Sequence, residues 1–186
     1  MPKKLSLHED RLFPPDPTVR AIARALYTSI RKLPIISPHG HTDPAWFADN
    51  QPFGNATDLF LAPDHYLFRM LYSQGISLES LGVSSRRGRP STDPRAAWRL
   101  FAGRFHLFHG TPSWLWLNHV FTEVFGFDQV LDDSTADHYF DKIGAALATA
   151  EFRPRALFDR FNIEVLATTE SPVDTLEHHR HIRESG

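Results

Sequence analysis

Apolar positions along this chain follow two periods. Val19, Ile22, Ala23, Leu26 and Ile30 recur every three or four residues and share one helical face. That spacing predicts a helix from about Pro17 to Lys32, stopped by Pro34. Ile35-Ile36 is a short apolar run between prolines and predicts a short buried strand ending near His39. Ile163 to Thr169 is a second apolar run and predicts a second buried strand. Between them the pattern is mostly helical. Short pieces are expected from Pro44, after Asn55, and from a cap at Asp64 to Gly75. Further helices are expected over about 94–108, 112–124 and 135–150, the last with Ala136, Tyr139, Phe140, Ile143 and Leu147 on one face.

Prolines punctuate this pattern. Asp16-Pro17, Asp93-Pro94, Thr111-Pro112 and Ser171-Pro172 each join a capping residue to a proline that suits the first helical position. Arg153-Pro154 has the proline without a good cap. Ser171-Pro172 therefore predicts a final helix carrying Leu176. The segment Val83 to Thr92, with Arg86, Arg87 and Arg89 among Ser, Gly and Pro, reads as an exposed loop. Its arginines are expected to be solvated rather than to grip an anion.

Two strands, each followed by a helix and separated by a long helical stretch, suit an α/β chain that opens a βα barrel with a large helical insertion between strands one and two. The expected organisation is residues 1–43 for the first helix and strand, 44–160 for the insertion, and 161–186 for the second strand and its helix. A completed barrel needs eight strands and typically about 250 residues, so most of the barrel is expected to lie outside this sequence.

Composition narrows the chemistry. The 186 residues are 41% hydrophobic and 23% charged, with a net charge of -2, which gives no reason to expect a nucleic-acid or anionic-membrane partner. Cysteine is absent, so disulfides and thiolate metal sites are excluded and any metal site must use His, Asp or Glu. The N-terminus lacks a secretory pattern and no apolar run is long enough to span a membrane; a cytoplasmic protein is the expectation.

Three clusters could carry chemistry. His39-Gly40-His41 follows the first strand. In extended backbone, residues two apart point to the same side, so two imidazoles can meet one metal ion, and Gly40 lets the backbone pass close by. Two polar loop residues are the bland alternative. Asp64-His65-Tyr66 opens a helix, where unpaired N–H groups favour anions and a neutral imidazole. A neutral His and a Tyr hydroxyl can move protons around an enediolate; a capped surface helix is the alternative. Thr168-Thr169-Glu170-Ser171 ends the second strand and would face the same barrel mouth as His39 and His41. Asp174, Glu177, His178, His179 and His181 are expected to serve packing or inter-helix hydrogen bonds. The aromatics Trp114, Trp116, Phe108, Phe121, Phe125 and Phe127 are expected in a core, with an oligomer interface as the second reading.

Four blocks in register resemble one family: Ile35 to His41, Asp64 to Arg69, Asn118 to Phe127, and Thr168 to His179. From about residue 15 onward the chain resembles the uronate isomerases, also called glucuronate isomerases, of the amidohydrolase superfamily. The resemblance implies the N-terminal part of a metal-dependent (β/α)8 TIM barrel. It implies interconversion of D-glucuronate with D-fructuronate and of D-galacturonate with D-tagaturonate. His39 and His41 match the family's metal-binding pair, with a divalent ion, zinc, as the expected cofactor. His65 and Tyr66 match its active-site His-Tyr, and Asp64, Arg69 and Thr169 are the expected substrate-binding residues. Family members carry Cys or another small residue where this chain has Gly40. Where relatives often have a second acidic residue after Thr-Thr-Asp, this chain has Glu170-Ser171. An Arg for the substrate carboxylate and a late-strand Asp that completes the metal site are not in this sequence. A metal-dependent hydrolase of the same superfamily and a non-catalytic helical module are the competing readings, and a homo-oligomer is left open.

Overall fold

The computed structural model describes residues 3–83, 88 and 92–185, so the Arg86, Arg87 and Arg89 cluster lies outside the described residues. The chain divides into two compact units. One comprises Met1–His8 with Phe53–Ala148, and the other Glu9–Pro52 with Thr149–Gly186.

The first unit is helical. Its helices are α3 (His65–Ser73), α4 (Pro94–Ala102), α5 (Pro112–His119) and α6 (Ala136–Leu147), following α1 (Pro17–Ile30) and α2 (Pro44–Asp49) of the second unit in chain order. Three of these starts have the side-chain cap that the sequence implies. Asp64 accepts from the Tyr66 and Leu67 amides, Asp93 from Arg95, and Thr111 from Trp114. The helix expected over 94–108 breaks at Gly103 and resumes as a 3₁₀ turn, Phe105–Phe108. A Cβ at residue 103 would meet the carboxylate of the exposed Asp133 side chain, which would have to swing aside. Thr57–Leu61 and Val120–Val124 are π-helical turns rather than α-helix.

This unit holds a dense aromatic core. Trp98, Phe101, Phe105, Phe108, Phe121 and Tyr139 are buried. Trp98 donates from Nε1 to the Ala136 carbonyl at 3.0 Å, and the Phe127 ring stacks on Tyr139 with centroids 3.6 Å apart. The reading of the insertion aromatics as core holds for Phe108, Phe121, Phe125 and Phe127, whereas Trp116 is partly exposed. On the surface, Arg99 grips both oxygens of Asp137 at 2.9 and 2.8 Å, and Arg95 pairs with Asp137 and Asp141. Hydrogen bonds from Arg99 and then Arg95 hold the Asp137 carboxyl below the usual carboxylate range. Asp132 is lowered chiefly by the Ser134 hydroxyl just ahead of α6.

The second unit contains α1 (Pro17–Ile30), β1 (Ile35–Ser37), α2 (Pro44–Asp49), α7 (Pro154–Arg160), β2 (Ile163–Leu166) and α8 (Glu177–Glu184). The strands pair in parallel, Ile35 with Ile163, Ile36 with Val165 and Ser37 with Leu166, with an irregularity after Ile35. Parallel neighbours this far apart in sequence need a crossover, which the intervening helices provide. Arg155, at the start of α7, ties helix ends together. Its amide donates to Asn50 Oδ1, its Nε to the Phe47 carbonyl and its guanidinium to Ser185 Oγ.

Two expectations need correction here. Both strands form, but β1 is not buried: Ile35 is 49% and Ile36 63% exposed, and Val165 of β2 is exposed as well. The sheet has two strands among the described residues. Second, Ser171-Pro172 opens a turn, not a helix, with the Asp174 amide donating to the Ser171 carbonyl. Leu176 is left-handed at φ 56°, its amide held by Asp174 Oδ1, so helical geometry begins only at Glu177.

Candidate functional site

The His39-Gly40-His41 turn emerges from the C-terminal end of β1. β2 runs parallel to it, so the segment after Leu166 leaves from the same end. Four contacts define the turn. The Ala167 amide donates to the Ser37 carbonyl at 2.9 Å, extending the ladder by one residue. Ser37 Oγ donates to the His39 carbonyl at 3.1 Å. Thr169 Oγ1 donates to the Gly40 carbonyl at 2.7 Å. A Cβ at Gly40 would stand 3.0 Å from the Ala167 carbonyl oxygen, so the turn passes close against the continuation of β2.

The two imidazoles converge from this turn. Their Nε2 atoms are 3.2 Å apart, and the rings meet edge to face at 87° with centroids 4.9 Å apart. Two nitrogens bound to one tetrahedral zinc at about 2.0–2.1 Å stand roughly 3.3 Å apart. The pair therefore fits two corners of such an ion, and both rings are exposed on the open side. Among the described residues no group of three or more His, Asp or Glu could hold a metal together. Among the described residues the turn brings two imidazoles together, fewer than the four ligands of a closed zinc shell.

The second group sits on α3 in the first unit. Asp64 Oδ1 accepts from the Tyr66 amide at 2.8 Å and from the Leu67 amide at 3.3 Å. That cap places His65 and Tyr66 in the first turn, their rings in contact with centroids 4.2 Å apart. Tyr66 is 68% exposed, and His65 and Arg69 are exposed too. Arg69 follows His65 by one helical turn and shares its face. The structure thus brings together His39, His41 and Thr169 in one unit, and Asp64, His65, Tyr66 and Arg69 in the other.

The segment after β2 does more than the sequence suggested. Side chains alternate in extended backbone, and Thr168 turns to His179 of α8, with Oγ1 and Nε2 at 2.9 Å, while Thr169 reaches Gly40. Glu170 Oε1 lies 3.6 Å from the same His179 nitrogen and has no hydrogen-bond partner. His179 thus ties α8 to the segment after β2, a strand-to-helix link rather than the inter-helix hydrogen bond expected. Neither the Ser37 tie nor the Ala167 approach was foreseen. The signal available for them was the period of two continuing past both strand ends. A cavity of about 680 Å³ in this unit is lined by Phe47, Phe158, Val165, Leu166, Thr168 and His179, and it does not include the converging histidines.

Similarity to known proteins runs through both units. The profile of the UxaC glucuronate isomerase family matches residues 18–186. The uronate isomerase of Caulobacter vibrioides (strain NA1000 / CB15N) is 69% identical over 186 residues, all of this chain and 38% of that protein. That of Xanthomonas campestris pv. campestris (strain B100) is 66% identical over 187 residues, again all of this chain and 40% of the relative. Among solved structures, glucuronate isomerase from Caulobacter crescentus superposes with a TM-score of 0.96 at 69% identity, covering 99% of this chain and 38% of that one. Uronate isomerase from Thermotoga maritima gives 0.82 at 28% identity, covering 97% and 37%. The chain therefore spans about two fifths of the length of the curated relatives it matches. Matched from residue 18 to its last residue, with the His-Gly-His turn and the capped His-Tyr helix both inside the match, this chain belongs to the glucuronate isomerase family.

Proposed function

We propose that these residues form the N-terminal part of a uronate isomerase that interconverts D-glucuronate with D-fructuronate and D-galacturonate with D-tagaturonate, in uronate catabolism in the cytoplasm. The observation that carries this reading is the 69% identity to a uronate isomerase sustained over all 186 residues. In the proposed architecture the parallel pair β1–β2 is the start of a (β/α)8 barrel. Residues 1–43 give the first helix and strand, 44–160 a helical insertion, and 161–186 the second strand and its helix. The parallel pairing and the placement of His39, His41 and Thr169 beyond the strands' C-terminal ends support that architecture, because barrel sites lie at that end.

The reaction moves a proton between C2 and C1 of the open-chain sugar. Removal of the C2 proton from the aldose with protonation of O1 gives a cis-enediol, and protonation at C1 with loss of the O2 proton gives the ketose. His39 and His41 are the proposed ligands for a divalent metal, zinc in the first instance. When bound, that ion would stabilise negative charge developing on the substrate oxygens. The 3.2 Å separation of their Nε2 atoms supports this role. His65 and Tyr66 present an imidazole and a phenol side by side, suited to accept and return protons on the sugar hydroxyls. Asp64 spends Oδ1 on the helix amides, which leaves Oδ2 to accept from a substrate hydroxyl. Arg69, exposed one turn along α3, offers its N–H groups to the substrate's oxygens. Thr169 keeps lone pairs for a substrate hydroxyl after its proton is given to Gly40. No nucleic-acid or membrane partner enters this reading, and among the described residues no helix is long and apolar enough to cross a membrane.

Supplying the full-length polypeptide with D-glucuronate, D-galacturonate, a sugar lactone and an amide tests the assignment. Ketose formation from the uronates with no hydrolysis is expected. Hydrolysis without ketose formation would assign a hydrolase instead. The 186-residue chain alone is expected to give no turnover, since it offers two metal donors of the set required.

A further inference from the structure

We propose that Thr169 is a positioning residue for the His39-Gly40-His41 pair, its hydroxyl fixing the peptide plane from which His41 projects. The proposal rests on the reading of His39 and His41 as metal ligands.

Both imidazoles are exposed, so side-chain packing does not fix their approach. The backbone between them must do so, and it contains two peptide planes. The first, between His39 and Gly40, carries the His39 carbonyl, which Ser37 Oγ holds from within the same loop. The second, between Gly40 and His41, carries the Gly40 carbonyl. Thr169 Oγ1 holds it at 2.7 Å from the neighbouring strand's continuation. The main-chain ladder ends one step earlier, at the bond from the Ala167 amide to the Ser37 carbonyl. Past that point the Thr169 hydroxyl is the described tie across the strands that reaches the residue between the two ligands. Glycine has the loosest backbone of any residue, and here a Cβ would crowd the Ala167 carbonyl at 3.0 Å. The close approach favours glycine, and glycine leaves its plane free to rotate unless something grips it. Gly40 and Thr169 are complementary in that sense. The first allows the turn, and the second removes the freedom the first brings.

The consequence is preorganisation of two donors at a separation suited to one ion. Replacing groups that orient metal ligands typically lowers affinity about 10–100-fold. Thr169 is exposed, so its replacement should leave the fold intact.

The test uses the full-length polypeptide, stripped of metal and titrated with zinc against a chromogenic chelator, as unaltered protein, Thr169→Val, Thr169→Ser and His39→Ala. Thr169→Val is expected to weaken zinc binding about tenfold. Thr169→Ser, which keeps the donor, should stay within about threefold of the unaltered protein, and the metal-free melting temperature should not change. Should valine pack badly, Thr169→Ala gives the same comparison without added bulk. Unchanged zinc affinity in Thr169→Val or Thr169→Ala, or equal losses in the Ser and Val variants, overturns the positioning role; a raised KM with normal zinc affinity does the same and leaves Thr169 as a substrate contact only. Normal zinc binding by His39→Ala would instead overturn the metal-ligand reading itself, which separates the two failures.

Discussion

The two units of this chain spend their apolar residues in opposite ways. The buried Leu, Ile, Phe, Trp and Tyr side chains among the described residues all lie in the first unit, around Trp98, Phe121 and Tyr139. The second unit is no less apolar in pattern, yet Val19, Ile22, Leu26 and Ile30 on α1, Ile35 and Ile36 on β1 and Val165 on β2 are exposed. An amphipathic helix and a β-branched strand are sequences written for burial. In the first unit that pattern finds its partners within the described residues; in the second it does not. The difference separates what an element's pattern determines from what its surroundings determine. Periodicity fixes which face is apolar, and only neighbouring layers fix whether that face is covered. It also explains how chemistry is divided. The first unit presents His65 and Tyr66 on a helix braced by a finished core, whereas the second holds His39 and His41 on a turn braced by hydrogen bonds.

The largest expected effect falls on the braced helix. His65→Ala and Tyr66→Phe in the full-length polypeptide should each lower kcat about 10²–10⁴-fold, the usual scale of general acid–base catalysis. Because both side chains are exposed, melting temperatures should stay unchanged; unaltered turnover would remove these residues from the chemistry. Next comes the core itself. Trp98→Ala should destabilise the first unit by about 3–5 kcal/mol, read by chemical denaturation. A loss under about 1 kcal/mol would mean that the aromatic cluster is not what holds this unit.

These contrasts also mark what was legible in the sequence. Aspartate or threonine before proline located the starts of α1, α4 and α5, because a side-chain acceptor and a residue lacking an N–H solve the same local problem. The same logic failed at Ser171-Pro172. There the Asp174 side chain captures the Leu176 amide, and β-branched Val173 and Thr175 favour helix weakly. The π turns at Thr57–Leu61 and Val120–Val124 were invisible, since a single widened turn leaves the apolar spacing almost unchanged. The exposure of β1 was invisible for the reason given above. At the site, residue types at the right spacing pointed to His39 and His41. The hydroxyls of Ser37 and Thr169 hold the turn by bonds to main-chain carbonyls; a period of two past the strand ends hints at which residues line up, but not at the carbonyl each one grips.

A smaller effect concerns acid. In the first unit Asp137 and Asp141 are held below the usual carboxylate range by arginine, and Asp132 by the Ser134 hydroxyl; in the second, Glu151 is lowered by a bond to its own amide and by Thr149. Groups depressed in the folded state bind protons more readily when unfolded. Their stabilisation is present above the ordinary carboxylate range and is lost as pH falls through it toward the folded values. Hydrogen exchange should therefore show first-unit amides, more than second-unit amides, losing protection between about pH 5 and pH 3. Equal losses in both units would detach the effect from these carboxylates. The smallest effect is on the uncovered face. Ile22→Ser should change the stability of this 186-residue chain by less than about 0.5 kcal/mol, as for exposed sites generally. The same substitution in the full-length polypeptide should cost more if a further layer covers α1.

Conversion of D-glucuronate by the metal-loaded full-length polypeptide, compared with its His39→Ala/His41→Ala variant, tests the proposed role of the histidine pair most directly. Ketose formation by the unaltered protein, together with loss of both zinc binding and turnover in a folded double variant, is the predicted result. Full turnover by the double variant, or no ketose from any uronate, would contradict it.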